Sequence, residues 1–540
     1  MSTKKIKYYF FTLIAGLLIT FQTLIAQQDI KGNLVTVQWL KKNINNPNII
    51  LLDASPSYVY KEKHISGAIN YDIFSYGVQE LPVAEIEKRY QAWGISKDKK
   101  IVMYDQGGTI FATRLFFSLD YYGFPQKDLL ILDGGLAKWQ AEGNEVTNEQ
   151  ITKVKKGNYT IKKINEAIKV ELTEFLTASG DRHNNVLLEA LDAGWHFGGT
   201  QFFNRPGHIP NAIMLPSDDF YNPDKTFKSS EEIKKMIDYL GIKSEQQIYT
   251  HCGGGIAASV PYFALKYLLG YPRVKLYNGS QLEWLSDQRE LPFWTYDAPY
   301  LMRETNWLKT WGGKMMRMYG VSKVSIIDIR NKEEYNEGHL PFAINIPAEV
   351  FKNNITDLGK LAKELGSAGV NVSFEAVIMS GKGLTKEAAL AFVMLEKLGQ
   401  KKISIFMDSM EKAAQLGFPA IKDLNEISNS TGTYSINIQK DIIINDPKST
   451  NGIYPKIYIS SGEDMPVHTS NNKVIHLHYT EFLNDDGSIK AAKDIWNILD
   501  TAGVPRYAEL FCISDDPGEA AVNFFILKMM GFPDIKVLVI

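Results

Sequence analysis

Cysteine is nearly missing from this chain: among 540 residues only Cys252 and Cys512 carry a thiol. Two cysteines exclude a disulfide framework and any Cys-rich zinc or iron–sulfur site. An excess of one charge is missing as well, with 59 Lys and Arg against 61 Asp and Glu and a net charge of −2. That balance excludes a general nucleic-acid binder, which needs a basic surface. The nine histidines show no metal-ligand spacing, so no metal or other cofactor is expected. Past the N-terminus no run is long and apolar enough to cross a bilayer. What remains is 45% hydrophobic and 22% charged, the balance of a globular protein and of neither a disordered nor a collagen-like chain. The length predicts three to five domains.

Residues 1–26 stand apart. Lys4, Lys5 and Lys7 precede an apolar run from Tyr8 to Ile19, and Ala26 is followed by Gln27 and Gln28. A positive start, an apolar middle and a small residue at the end describe a secretory signal peptide, which predicts export to the periplasm or beyond. The competing reading is an uncleaved anchor, because the stretch to Ala26 is just long enough to span a bilayer; membrane association is expected only in that case. No cysteine lies near the cut, so a lipid anchor is not expected. Removing the three lysines takes the net charge from −2 to about −5.

Four times the chain runs through one succession of elements. It opens on a short apolar strand, at Ile49–Asp53, Val186–Glu189, Val324–Asp328 and, more weakly, Lys456–Ser460. A turn and second strand follow at His64-Ile-Ser-Gly-Ala68, Gly207-His-Ile-Pro-Asn-Ala212 and Gly338-His-Leu-Pro-Phe-Ala343; the fourth copy keeps only Val474–His478. A third strand then enters a tight loop and a helix, at Ile101–Asp105, Ile248–Cys252, Ala376–Ser380 and Glu509–Ile513. Each helix is expected to stop near a glycine, at Gly123, Gly270, Gly399 and Gly531, and a last strand follows, as at Leu129–Leu132.

Those glycines lie 147, 129 and 132 residues apart, too far for a solenoid and right for whole domains. Strands alternating with helices predict parallel βαβ units. The expected fold class is therefore α/β: four domains, each a mainly parallel sheet flanked by helices, over 30–160, 165–300, 312–425 and 435–540. The polar stretches at 150–168, 295–312 and 425–440 read as linkers. The fourth copy is the degenerate one and stops at Ile540 just after its last strand. The third and fourth domains are expected to pair with each other as the first and second do.

The repeats resemble the rhodanese family of sulfurtransferases, and the first two resemble its tandem pair. The resemblance rests on Gly207-His-Ile-Pro-Asn-Ala212, on the loop Cys252-Gly-Gly-Gly-Ile-Ala257, and on the closing segments Asp133-Gly-Gly-Leu-Ala-Lys-Trp139 and Asn278-Gly-Ser-Gln-Leu-Glu-Trp284. It covers 35–290 well and 320–420 more faintly, and it is weak beyond 435. It implies a sulfurtransferase that moves a sulfane sulfur from a small anionic donor, thiosulfate or 3-mercaptopyruvate, to cyanide or a thiol through a persulfide on Cys252.

The residues support that chemistry on their own. A cysteine at the end of a parallel strand stands at the crevice where α/β proteins bind ligands. Gly253, Gly254 and Gly255, followed by Ile256 and Ala257, let the loop aim successive N–H groups at one point, and such a nest beside a helix N-terminus holds an anion. The same field is expected to favour the thiolate. The equivalent loops, Asp105-Gln-Gly-Gly, Ser380-Gly-Lys-Gly and about Ser514-Asp-Asp-Pro, offer no thiol at the apex, so domains one, three and four are expected to be silent. Cys512 falls inside its strand, a turn too early, and reads as a core residue.

Arg205 matches an arginine that contacts substrate in the mercaptopyruvate branch, and is expected to bind the donor. A second family arginine is replaced by Trp195 or His196, which leaves the donor's identity open and makes His196 a candidate donor or charge, or else a packing residue. His251 tunes the thiolate or packs, and His208 more readily fixes a turn. Gly381-Lys-Gly-Leu-Thr385 lacks the upstream glycine of a P-loop. The alternative function is a non-catalytic rhodanese-like binding or scaffold protein of the cell envelope. In either case domains three and four suit docking of a protein partner.

Overall fold

The computed structural model describes residues 30–539 other than 77, 152, 202, 312–322, 423–431 and 463–472. The expected signal segment lies outside the described residues. Four sheets form. The first runs Ile30–Lys31, Leu34–Val35, Leu129–Leu132, Lys100–Tyr104, Ile49–Asp53, Ile69–Asn70 in spatial order. The second runs Lys169–Val170, Val274–Tyr277, Gln247–His251, Asn185–Glu189, Ala212–Met214. The third runs Met302–Arg303, Lys402–Phe406, Glu375–Met379, Val324–Asp328, Ala343–Asn345, and the fourth Ile443–Ile444, Ile535–Leu538, Glu509–Ile513, Lys456–Ser460, Lys473–His476. All pairings are parallel except that of the first two short strands. The α/β reading with four repeated domains holds, and the fourth, degenerate in sequence, keeps the strand order of the second and third.

The strands lie where the apolar runs are because helices cover both faces of a parallel sheet, which leaves no polar side. Ile50–Asp53, Val186–Glu189, Ser325–Asp328 and Ile457–Ser460 are buried without alternation. The helices after the third strands, Phe111–Tyr121, Ser259–Phe263 with its π-helical continuation Ala264–Leu268, Lys386–Leu398 and Pro517–Met529, end against the expected glycines. The Gly-His motifs are turns that lead into the second strand rather than strands themselves.

One boundary moves. The stretch 295–312, expected as a linker, contains the edge strand Met302–Arg303, paired with Ile405 and Phe406, and the helix Thr305–Trp311. The third sheet thus begins ahead of residue 312. A two-residue edge strand carries no periodicity from which sequence reading can find it.

The chain divides into two compact units with the boundary at Phe293 and Trp294. In the first, the helix Phe111–Tyr121 packs on the helix that starts at Ser259: Phe116 meets Phe263 edge-on at 5.0 Å, Phe117 meets Tyr262 at 5.1 Å, and Tyr262 donates to Asp120 at 3.0 Å. In the second, the helices Lys386–Leu398 and Pro517–Met529 pack in the same way, with Phe392 on Phe525 at 5.1 Å and Lys528 paired with Glu396 at 2.7 Å. The third and fourth domains therefore share one unit, as expected. No helix among the described residues is long and apolar enough to cross a membrane.

Candidate active site

Cys252 follows the strand Gln247–His251 directly and is only 2% exposed. Its Sγ accepts the N–H of Gly255 at 3.1 Å, so the glycine loop curls back on the sulfur. Gly255 makes that curl possible: its φ is +87°, and a Cβ there would stand 2.2 Å from Asn278 Oδ1. The closing segment clamps the loop from the other side. Ser280 Oγ accepts the Cys252 N–H at 3.1 Å, while the N–H groups of Gln281 and Leu282 donate to the carbonyls of Cys252 at 2.9 Å and Gly253 at 2.8 Å. The helix expected to back the nest starts only at Ser259, so the N–H that reaches the sulfur belongs to the loop itself.

A cation from the first domain completes the site. Arg114, 2% exposed in the helix Phe111–Tyr121, donates to Gly255 O at 3.2 Å and Val78 O at 3.1 Å, and lies 3.8 Å from Glu80. Burial pulls its basicity down, and the nearby Glu80 and Cys252 oppose that pull. Because a peptide's C=O and N–H point opposite ways, anchoring the Gly255 carbonyl on Arg114 turns the N–H of Ile256 away from it. Asn278 holds the same first-domain segment, donating to Gln79 and Glu80 at 3.1 Å each. The sequence reading did not single out Arg114. Its only signal is a lone arginine in an otherwise apolar helix, Phe111-Ala-Thr-Arg-Leu-Phe-Phe117, of a domain without a thiol.

The two expected substrate groups, Arg205 and His196, both have partners within the protein. Arg205 gives its Nε, Nη1 and Nη2 to the backbone carbonyls of Leu285, Leu291 and Trp284. It braces the segment after the closing helix, and three of its five donors are thereby taken. His196 is fully buried, hydrogen-bonded through Nδ1 to Glu189 and stacked on His208 at 3.7 Å with an interplanar angle of 3°. A wholly buried ring does not line the loop mouth, so of the two readings of His196 the packing role fits. Glu189, His196 and His208 each bring one ligand atom within 4.8 Å of the others. Two parallel stacked rings cannot both hold one ion in their planes, and both Nδ1 atoms are engaged, that of His208 by His196 O at 2.7 Å. The cluster is a hydrogen-bonded stack rather than a ligand set.

His251 is wholly buried against Phe175, and neither ring nitrogen has a hydrogen-bond partner in the protein. Burial lowers its pKa to about 4 and that of His208 to about 3. A histidine lowered from its ordinary 6.5 stabilises the fold fully above that value, and this contribution is lost as pH falls from 6.5 toward the folded pKa. The loss is about 1.4 kcal/mol per pH unit for each ring. His251→Phe is therefore expected to lose less melting temperature between pH 8 and pH 5 than the wild type; an equal loss in thermal scans at both pH values contradicts this assignment.

The profile of the Rhodanese-like domain matches residues 36–142, 174–287 and 313–415, more than half of the chain. The chain belongs to the rhodanese family. Over 267 residues it is 30% identical to the sulfur carrier protein TtuD of Thermus thermophilus, covering 46% of this chain and 93% of that one. It is also 30% identical over 279 residues to the probable 3-mercaptopyruvate sulfurtransferase of Pseudomonas aeruginosa, covering 48% and 96%. Among solved structures, the 3-mercaptopyruvate sulfurtransferase SseA of Escherichia coli is 26% identical, with a TM-score of 0.42, over 46% of this chain and 99% of that one.

The other rhodanese-like domains fill the same loop differently. In the first, the Asp105 carboxylate occupies the nest, accepting N–H groups from Gly107 at 2.8 Å, Ala112 at 2.9 Å and Phe111 at 3.2 Å. In the third, Ser380 Oγ accepts the Lys382 N–H and donates to Gly383 O at 2.7 Å. In the fourth, Ser514 donates to Glu519 at 2.8 Å. Both cysteines are free thiols. Cys512 is fully buried inside the strand Glu509–Ile513, where burial pushes its thiol well up, as suits a core residue.

Proposed function

We propose that the second domain catalyses sulfur transfer with Cys252 as nucleophile. Asp105 carries this reading. In the sister domain a carboxylate, an anion two bonds beyond Cβ, is received by loop and first-turn N–H groups. A cysteine persulfide places its outer, charged sulfur two bonds beyond Cβ as well, and Cys252 stands at the same strand end. With thiosulfate, the Cys252 thiolate attacks the outer sulfur; the new S–S bond forms as the bond to the sulfonate sulfur breaks, and sulfite leaves with the electron pair. With 3-mercaptopyruvate, the C–S bond breaks, its electron pair stays on carbon, and the thiol proton completes pyruvate. Cyanide then takes the outer sulfur as thiocyanate and the thiolate returns; a thiol acceptor leaves instead as a persulfide. The loop N–H groups stabilise the charge at each stage without reorganising.

The loop N–H aimed at Cys252 and the nearby Arg114 charge favour a small anionic donor, and both donors share that chemistry. Incubation with cyanide and either thiosulfate or 3-mercaptopyruvate separates them: thiocyanate is expected from at least one, with ping-pong kinetics. No thiocyanate above the protein-free rate from either donor would reject the reading. The second unit, whose described loops carry no thiol, is assigned to docking of a protein partner, and the N-terminal 26 residues to export into the periplasm or beyond.

A further inference from the structure

The catalytic domain departs from its sisters beneath the loop. In the third domain the strand-end acid Asp328 is paired two residues on with Arg330, whose guanidinium also donates to Gly338 O at 2.9 Å. That arginine closes the crevice on itself and touches no loop residue by hydrogen bond. In the second domain the matching acid is Glu189, and the residue two positions on is Leu191, which cannot pair.

The tyrosine is lost too. In the first and third domains Tyr60 and Tyr335 stack on His64 and His339, at 3.8 and 4.0 Å, and donate to the carbonyls of Ala68 and Ala343. In the second domain His196 takes that stacking place and turns its Nδ1 to Glu189.

What replaces the arginine comes from the closing segment. Gln281 Nε2 donates both to Glu189 and, at 3.2 Å, to Gly207 O, the carbonyl matching Gly338 O. The same residue's backbone N–H donates to Cys252 O at 2.9 Å. Gln281 is 1% exposed and Glu189 is fully buried. Burial pushes the Glu189 carboxyl up, but the His196 ring beside it brings it below its ordinary value. The carboxylate is thus a fixed acceptor at the end of the strand next to the one that carries Cys252.

We propose that Gln281 is a positioning residue: it ties the Cys252 loop to the Glu189–His196 pair, so that the crevice-closing contact which the third domain spends on itself holds the nucleophile in this one. The inference rests on the reading of Cys252 as nucleophile. Gln281 does not reach the loop mouth, so its loss slows the chemical step and leaves donor binding in place.

The test uses the full chain and single-turnover formation of persulfide from 3-mercaptopyruvate or thiosulfate, followed by intact mass. Gln281→Met keeps the volume and removes the amide. The expected result is a rate about tenfold or more below wild type at saturating donor, with the half-saturating donor concentration unchanged. Adding Leu191→Arg returns a partner to Glu189 from its own strand end, as Arg330 does for Asp328. It is expected to recover the melting temperature and to leave the rate slow. A rate within twofold of wild type in Gln281→Met, or a rate that recovers together with the melting temperature in the double variant, overturns the proposal. Should Gln281→Met not fold, Gln281→Asn, which keeps the amide but falls one methylene short, carries the same outcomes. If the wild type itself forms no persulfide, the sulfurtransferase reading fails separately. The tether is then judged from iodoacetamide alkylation of Cys252 in the same variants, expected to change tenfold in Gln281→Met and overturned by rates equal to wild type.

Discussion

Cys252→Ala is expected to cut thiocyanate formation by about 1000-fold or more, to the uncatalysed background, with the melting temperature nearly unchanged. Alanine removes the only sulfur at a described loop apex, and no neighbouring group inherits its role. Cys512 is walled into the core of the fourth sheet. Asp105 and Ser380 hold the equivalent places with oxygen, which cannot carry a sulfane sulfur, and their loop contacts are internal. The fold has little reason to change, because Cys252 Sγ accepts a single N–H and the loop's other bonds run through backbone and Ser280. Equal thiocyanate from variant and wild type, measured colorimetrically with either donor, would return the chain to the reading of a binding or scaffold protein.

Arg114→Met is expected to lower the transfer rate by about 10- to 100-fold and to cost about 2–3 kcal/mol of stability. The guanidinium ties the first domain's Val78–Glu80 segment to the Gly255 carbonyl; when it goes the Gly255 carbonyl loses that donor, while Val78 O keeps the one from Asn278. Glu80 keeps Lys169 at 3.0 Å, which limits the stability loss below that of a stranded buried charge. Arg114→Lys does not restore the rate, since a point ammonium cannot span two carbonyls as a planar fork does. Steady-state rates within twofold of wild type for both variants, with the expected fall in melting temperature, would make Arg114 a purely structural interdomain contact.

The repeat of apolar strand, turn, strand, loop and helix was readable because buried parallel strands are continuous apolar runs and because each following helix ends at a glycine. Cys252 and its glycines were readable because a thiol at a strand end followed by three small residues has few other uses. The short edge strands, such as Met302–Arg303, carry too few residues to show a period. Arg114 was invisible for a different reason: it serves a site in the next domain, and nothing local in Phe-Ala-Thr-Arg-Leu points across that gap. For Arg205 and His196 a motif match places a residue in the chain and not its side chain in space. The arginine turned to three carbonyls and the histidine turned inward to Glu189. Gln281 lies inside a closing segment whose tryptophan and glycine carry the motif, and only the structure shows that its amide and its N–H together link acid and nucleophile.

The most direct measurement is intact-mass and peptide mass spectrometry of the full chain after exposure to thiosulfate or 3-mercaptopyruvate without acceptor. The account predicts a gain of about 32 Da confined to the peptide carrying Cys252, lost again on addition of cyanide. A chain that gains no sulfur from either donor, or gains it on Cys512, would contradict it.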